Sequence, residues 1–306
     1  MSLKIVFMGT PEFSVPTLES LVNSDHKILA VYSQPPNKAN RGQKVVSSSI
    51  ELFAKKHSLN TRTPTKLDID EEYNFLKELK PDIVIVVAYG KIIPKRFLNL
   101  SKFGFINIHA SLLPKWRGAA PIQRSIMNLD NETGISIMKI VEGLDSGPVM
   151  QQNKIKINEN IDSLTLSKVL SKLGAKSIIE AIKKIEKGEA KFVEQDHNQT
   201  TYAKKILKTE ARIQWDETAR KILSKINGLN PNPGAWFEFK GQRYKVWKAK
   251  ILSQKGVPGK ILDNKLTVAC KDKAIKILEI QKEGKDRQET EQFLLGNKMK
   301  QGERIF

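Results

Sequence analysis

The feature that most restricts this chain is Ile83-Val84-Ile85-Val86-Val87, five β-branched residues in succession without polar alternation. Side chains of this kind fit a pleated strand, and a strand lacking alternation must be covered on both faces. Strands like that lie in the middle of parallel sheets, where crossover helices shield each side. Apolar runs at Lys4 to Met8, Ile28 to Ser33, Phe105 to His109 and Ile135 to Ile140 supply its neighbours. Between them, Pro16 to Val22, Ser48 to His57, Glu71 to Leu79 and Ile122 to Met127 place apolar residues at helical spacing. Residues 1–190 therefore read as an α/β domain with a doubly wound, mostly parallel sheet.

An amphipathic stretch from Ser163 to Lys187 closes that domain as a long helix. A polar segment within 191–206, clearest from Gln195 to Thr201, reads as a linker. Lys221 to Ile226 has helical character and is expected to end at Asn227-Gly228. Beyond Asn230-Pro231-Asn232-Pro233-Gly234 the apolar runs shorten and alternate, with Gly241, Gly256, Gly259 and Asp263-Asn264 as turns. Residues 207–306 are thus expected to form a smaller, OB-like β-barrel.

Charge separates these halves further. The 306 residues carry a formal net charge of +19, and from Thr201 onward 24 Lys and Arg face 12 Asp and Glu. A surface of this kind attracts polyanions, although a solvated lysine face accounts for it as well. Cys270 is the one cysteine, which excludes an internal disulfide and fits a reducing cytoplasm. The four histidines, at 26, 57, 109 and 197, lack metal-ligand spacing. No run approaches the ~18 apolar residues of a membrane helix, and Met1 to Met8 reads as a first strand, not a signal peptide. A soluble monomer that binds no metal is the expectation.

Three motifs carry candidate chemistry. Gly9-Thr10-Pro11 follows the first strand where a dinucleotide fingerprint would stand, yet holds one glycine instead of three, which argues against a Rossmann dehydrogenase. Strand alternation puts Phe105, Asn107 and His109 on one face and Ile106 and Ile108 on the other. Taken alone, Asn107 and His109 read as a turn asparagine and a satisfied core histidine. Glu142-Gly143-Leu144-Asp145-Ser146-Gly147-Pro148 holds a carboxylate between two glycines, alone an ordinary turn. At neighbouring carboxyl ends of an open sheet, where ligands bind, the amide, imidazole and carboxylate together make a set suited to acyl transfer onto an amine without a covalent enzyme intermediate.

Met8-Gly9-Thr10-Pro11-Glu12-Phe13, Ala88-Tyr89-Gly90, Asn107-Ile108-His109-Ala110-Ser111-Leu112-Leu113-Pro114, Arg117-Gly118-Ala119-Ala120-Pro121-Ile122 and Gly143-Leu144-Asp145 together resemble the methionyl-tRNA formyltransferase family. Asn230-Pro231 with Pro233, and Val246-Trp247-Lys248-Ala249, resemble its C-terminal domain. The resemblance implies that Asn107, His109 and Asp145 are catalytic and that Ser111, Leu112, Leu113 and Pro114 lie against folate. It implies 10-formyltetrahydrofolate as formyl donor and initiator methionyl-tRNA as acceptor. By the same resemblance the loop Asn37 to Lys44 reaches the acceptor end of the tRNA, with Arg41 and Lys44 as its basic contacts. Ser146 stands where many members carry Thr. Two other readings stay open: a formyltransferase or formyltetrahydrofolate hydrolase acting on a small amine or water, and a non-catalytic RNA-binding protein.

Overall fold

The fold was obtained as a computed structural model that describes residues 2–39 and 44–306. Contacts group the chain into two compact units. The first comprises Met1–Gly118, Thr133–Ile155 and Ser167–Tyr202, and the second Ala119–Glu132, Lys156–Leu166 and Ala203–Phe306. Two internal segments thus pack with the C-terminal residues, an arrangement that local composition does not signal.

The first unit is built on strands β1 (Lys4–Gly9), β2 (Lys27–Tyr32), β3 (Thr61–Arg62), β4 (Ile83–Val87), β5 (Phe105–His109), β6 (Glu132–Lys139) and β7 (Val149–Lys156). Their order across the sheet is β7-β6-β5-β4-β1-β2-β3. The pairs β1–β2, β1–β4, β2–β3 and β4–β5 are parallel, and β5–β6 is antiparallel. The β-branched run is β4, fully buried and the central strand of the seven, as its composition requires. Strands β3 and β7 have no counterpart among the expected elements. The first is two residues long, and the second alternates exposed polar residues along Gln151 to Lys156 in the manner of an edge strand.

Both faces of the sheet are dry. Val6, Met8, Val84, Val86 and Phe105 cluster with Leu76 of helix α3 (Asp70–Leu79), following α1 (Val15–Val22) and α2 (Ser49–Lys56), while Ile5 and Phe7, pointing the other way, are equally buried. α2 starts where Ser48 Oγ accepts from Glu51 N–H at 3.0 Å. After α4 (Pro121–Met127), which belongs to the second unit, comes the 24-residue α5 (Ser163–Glu186). Gly174 of α5 lets the helix lie against the β5 face that carries Ile108, since a Cβ there would stand 3.0 Å from Ile108 Cγ2. Asn107 and His109 consequently face away from α5.

The second unit contains α6 (Ala219–Gly228), β8 (Ala235–Phe239), β9 (Gln242–Leu252), β10 (Thr267–Ala269), β11 (Ala274–Lys282), β12 (Gln288–Glu289) and α7 (Thr290–Gly296). The sheet order is β8-β9-β11-β10, antiparallel throughout, with β12 on β11. Beyond β10, Ala269 N–H donates to Lys260 C=O at 2.9 Å, Ile305 N–H to Gly259 C=O at 2.9 Å, and Phe306 and Glu238 exchange both backbone bonds. α6 ends at Gly228, as its sequence position implies, but the glycine has a second role. It is the last helical residue, and a Cβ on it would come within 2.7 Å of Met127 Cγ, so the glycine serves the packing of α6 on α4. Phe237 lies at the core of this unit, between Trp215 and Tyr244.

Candidate active site

The carboxyl ends of β1, β4 and β5 define the functional edge of the first unit. β1 has β2 on one side and β4 on the other, so this is the point where the winding reverses, the place where doubly wound sheets take their ligands. The turn after β4 is held there: Thr10 Oγ1–H donates to Tyr89 C=O at 2.8 Å and Gln34 Nε2–H to the same oxygen at 3.1 Å. Ala88 takes φ +47° and Gly90 φ +81°, and a Cβ on Gly90 would meet Gln34 Nε2 at 2.2 Å. Gly9-Thr10 thus contributes a fastening for that turn.

One strand further, β5 delivers Asn107 and His109. His109 is 6% exposed. Its Nε2 lies 2.9 Å from Trp116 C=O, and because a carbonyl only accepts, Nε2 carries the hydrogen. That leaves Nδ1 facing Asp145, whose Oδ2 is 3.6 Å away. Gly118 N–H donates to this same Oδ2 at 2.8 Å. The carboxylate is therefore aimed at the imidazole from a loop separated from it by 36 positions of sequence, which the histidine alone could not disclose. Asp145 adopts φ +45°, a left-handed conformation that Asp tolerates better than most residues. The flanking glycines make the bend possible: a Cβ on Gly147 would sit 2.0 Å from Lys139 C=O, and one on Gly143 2.3 Å from Ser146 Oγ.

Asn107 differs from this pair. It is half-buried, and among the described residues no side-chain hydrogen bond engages its carboxamide. An amide held on a rigid strand with both donors open is a group prepared for a ligand oxygen. His109 Nε2 is engaged by Trp116 C=O while Nδ1 faces the Asp145 carboxylate at 3.6 Å, so for Nε2 to donate to a ligand the Trp116 contact must be exchanged.

The segment Ser111–Pro114 is fastened by residues that the sequence motifs did not single out. Ser136 on β6, fully buried, donates from Oγ to Ser111 C=O at 2.7 Å and accepts from Leu113 N–H at 3.0 Å. Gln152 on β7 donates to Leu113 C=O at 2.7 Å. The backbone of this loop is thereby fixed, with Ser111 and Leu113 buried and Leu112 and Pro114 partly open. Of the two basic loop residues, Arg41 lies outside the described residues. Lys44 opens a short strand, Lys44–Val46, which pairs antiparallel with Asn37–Ala39.

The polar segment 191–206 also contributes. Gln195, 7% exposed, donates to the backbone carbonyls of Asp145 and Gly147, and Thr201 Oγ1 accepts from Trp116 N–H at 2.9 Å. These residues are polar because their partners are polar backbone groups of the site, a reason that composition cannot distinguish from that of a solvated linker.

A family model described as formyl transferase matches residues 3–182, and one described as formyl transferase, C-terminal domain, matches residues 205–298. The chain is 53% identical over 307 residues to a methionyl-tRNA formyltransferase of Pelagibacter ubique, covering 100% of this chain and 99% of the relative. It is 42% identical over 310 residues to a methionyl-tRNA formyltransferase of Chelativorans, covering 100% of both. Among solved structures, HypX from Aquifex aeolicus in complex with tetrahydrofolic acid matches with a TM-score of 0.69 at 16% identity, covering 96% of this chain and 47% of HypX. This chain thus spans about half the length of HypX. An N-formyltransferase from Helicobacter canadensis matches with a TM-score of 0.69 at 19% identity, covering 90% of this chain and 99% of that one. At those identities the two structures bear on the fold alone.

Proposed function

Because this chain belongs to the methionyl-tRNA formyltransferase family, we infer that it transfers the formyl group of 10-formyltetrahydrofolate to the α-amino group of initiator methionyl-tRNA. The product is the N-formylated initiator of translation, and the enzyme acts in the cytoplasm as a monomer. The observation that carries this reading is the open Asn107 carboxamide beside a buried His109 that faces the partly buried Asp145 carboxylate. Folate supplies the formyl group as an N-acyl donor, and the Ser111–Pro114 loop, fixed by Ser136 and Gln152, is the surface proposed to hold it.

Asn107 donates to the formyl oxygen as it turns anionic under attack by the amine. His109 joins by exchanging its bond to Trp116 C=O for that oxygen. The carboxylate of Asp145 balances charge on the imidazole, and the pair moves one proton from the attacking nitrogen towards the departing one. The C–N bond to the folate breaks as the C–N bond to the methionyl group forms.

The division of labour we propose gives catalysis to residues 1–190 and RNA binding to the basic C-terminal residues 207–306, with 191–206 between them. Arg41 and Lys44 complete the grip at the acceptor end. We read the C-terminal sheet as an OB-like barrel. The support for closure is the series of backbone bonds that links β10 through Gly259–Ile261 and Glu303–Phe306 back to Glu238 of β8.

The test is direct. With labelled 10-formyltetrahydrofolate and charged initiator tRNA, label is expected on the aminoacyl group. Label appearing only in formate would overturn this reading in favour of hydrolysis.

A further inference from the structure

Arg117 is an arginine with 4% exposure in the first unit, and neither the catalytic set nor folate binding accounts for it. Its guanidinium points at Gln195: Nε–H donates to Oε1 at 3.1 Å and Nη2–H to the same oxygen at 2.8 Å. A third contact, Nη2 to His197 Nδ1 at 3.3 Å, occupies the outer edge. An arginine only donates, so Oε1 of Gln195 must face it and the amide nitrogen must face the other way. There Nε2 spends both hydrogens on carbonyls, that of Asp145 at 2.9 Å and that of Gly147 at 2.7 Å.

The arrangement closes on itself. The residue after Arg117 is Gly118, whose N–H holds the Asp145 carboxylate at 2.8 Å. Asp145 is thus gripped at both ends, its side chain by Gly118 and its backbone carbonyl by Gln195, and both grips originate at Arg117–Gly118. The main chain there is itself tied down, because Arg117 N–H donates to Thr201 C=O at 2.9 Å. A non-glycine residue at φ +45° persists in that conformation only where its surroundings over-determine it. We infer that Arg117 and Gln195 form a positioning clamp that holds the Asp145 loop in its left-handed conformation and so keeps the carboxylate aimed at His109. They touch no reacting atom and act through Asp145, and the inference rests on the catalytic role proposed for that residue.

The informative variant is Gln195→Glu. It preserves side-chain size and the acceptor facing Arg117, but replaces two N–H donors with a carboxylate oxygen directed at two carbonyls. With the full-length enzyme and charged initiator tRNA, kcat is expected to fall about tenfold to a hundredfold, the range for misplacing a catalytic group by roughly 1 Å. KM for the folate donor and for tRNA should stay within about twofold, since neither binding surface is altered. Gln195→Met, apolar and of similar length, should lower kcat in the same way and guards against a folding defect peculiar to the buried charge.

The double variant separates positioning from general structural support. If Gln195 acts through Asp145, then in an Asp145→Asn background Gln195→Glu should cost little further activity, because coupled residues are not additive. Equal losses in both backgrounds, or a kcat unchanged in the single variants, would overturn the clamp. A wild-type enzyme that puts no formyl group on methionyl-tRNA would instead overturn the proposed reaction, so the two failures are distinguishable.

Discussion

The carboxyl edge of the first unit and the outward face of the second unit's sheet use charge in opposite ways. At the edge, His109, Asp145, Arg117 and Gln195 are buried or nearly so, and each polar contact fixes a direction. On the sheet, cations stand over the rings of half-buried Trp236 and buried Trp247. Arg243 lies 4.1 Å and Arg212 5.7 Å from the Trp236 ring, and Lys245 and Arg287 lie 5.4 and 5.5 Å from that of Trp247. A few charges shielded from water are strong and geometrically exacting, whereas many exposed ones are individually weak and screened by salt. The first arrangement suits a reaction at one atom, and the second suits a long anionic partner.

Replacing Asp145 by Asn is the sharpest way to break this contrast, because it removes one charge from the dry site and leaves the exposed face untouched. Single-turnover formyl transfer should fall by about 10²- to 10⁴-fold, the usual contribution of a positioned acid–base group. tRNA binding measured by filter retention should be unchanged. A variant with near-normal turnover would remove Asp145 from the mechanism.

Salt should act in the reverse sense. Neutralised phosphates release counterions, so a surface making about six such contacts loses roughly a thousandfold in affinity between about 50 and 200 mM salt. kcat at saturating tRNA should hardly respond. Within that dependence, Arg243→Ala should flatten the logarithmic salt slope by about one, the share of one phosphate contact. Salt-insensitive binding would show that the charge of the second unit is a solvated surface and nothing more.

How much of this could be read from sequence follows from the range of the interactions. The β4 run announced a central strand because its pattern is local, and strand alternation in β5 put Asn107 and His109 on one face for the same reason. Strand β7 escaped because Gln151, Asn153 and Lys154 are what an edge strand carries and also what a loop carries. The helical spacing of Pro121–Met127 was legible, but not that this helix packs in the second unit, against Gly228. Gln195 was hidden most completely. Its partners stand 78 and 50 positions away, at Arg117 and Asp145, and no local pattern distinguishes a glutamine that satisfies buried carbonyls from one in water.

A charge pair of the second unit that belongs with the fold instead of the open surface gives the smallest predicted effect. Arg124 grips Glu210 with two bonds, Nη1 to Oε2 at 2.7 Å and Nη2 to Oε1 at 3.1 Å, while Leu207 N–H donates to Oε1 at 2.8 Å. The Arg124 hydrogen bonds hold the Glu210 carboxyl below its ordinary pKa against the opposing effect of burial. A carboxylate depressed in this way stabilises the fold above its unfolded pKa of about 4.3, and that contribution disappears as pH falls through the lower folded value. Glu210→Gln keeps an acceptor for Leu207 and removes only the charge. The side chain is 31% exposed, so solvent screening limits the loss near neutral pH to at most about 1 kcal/mol. Urea unfolding of wild type and variant should differ by that constant amount at neutral pH and converge below the carboxylate range. A difference that persisted in acid would mean that the pair acts through packing and not through charge.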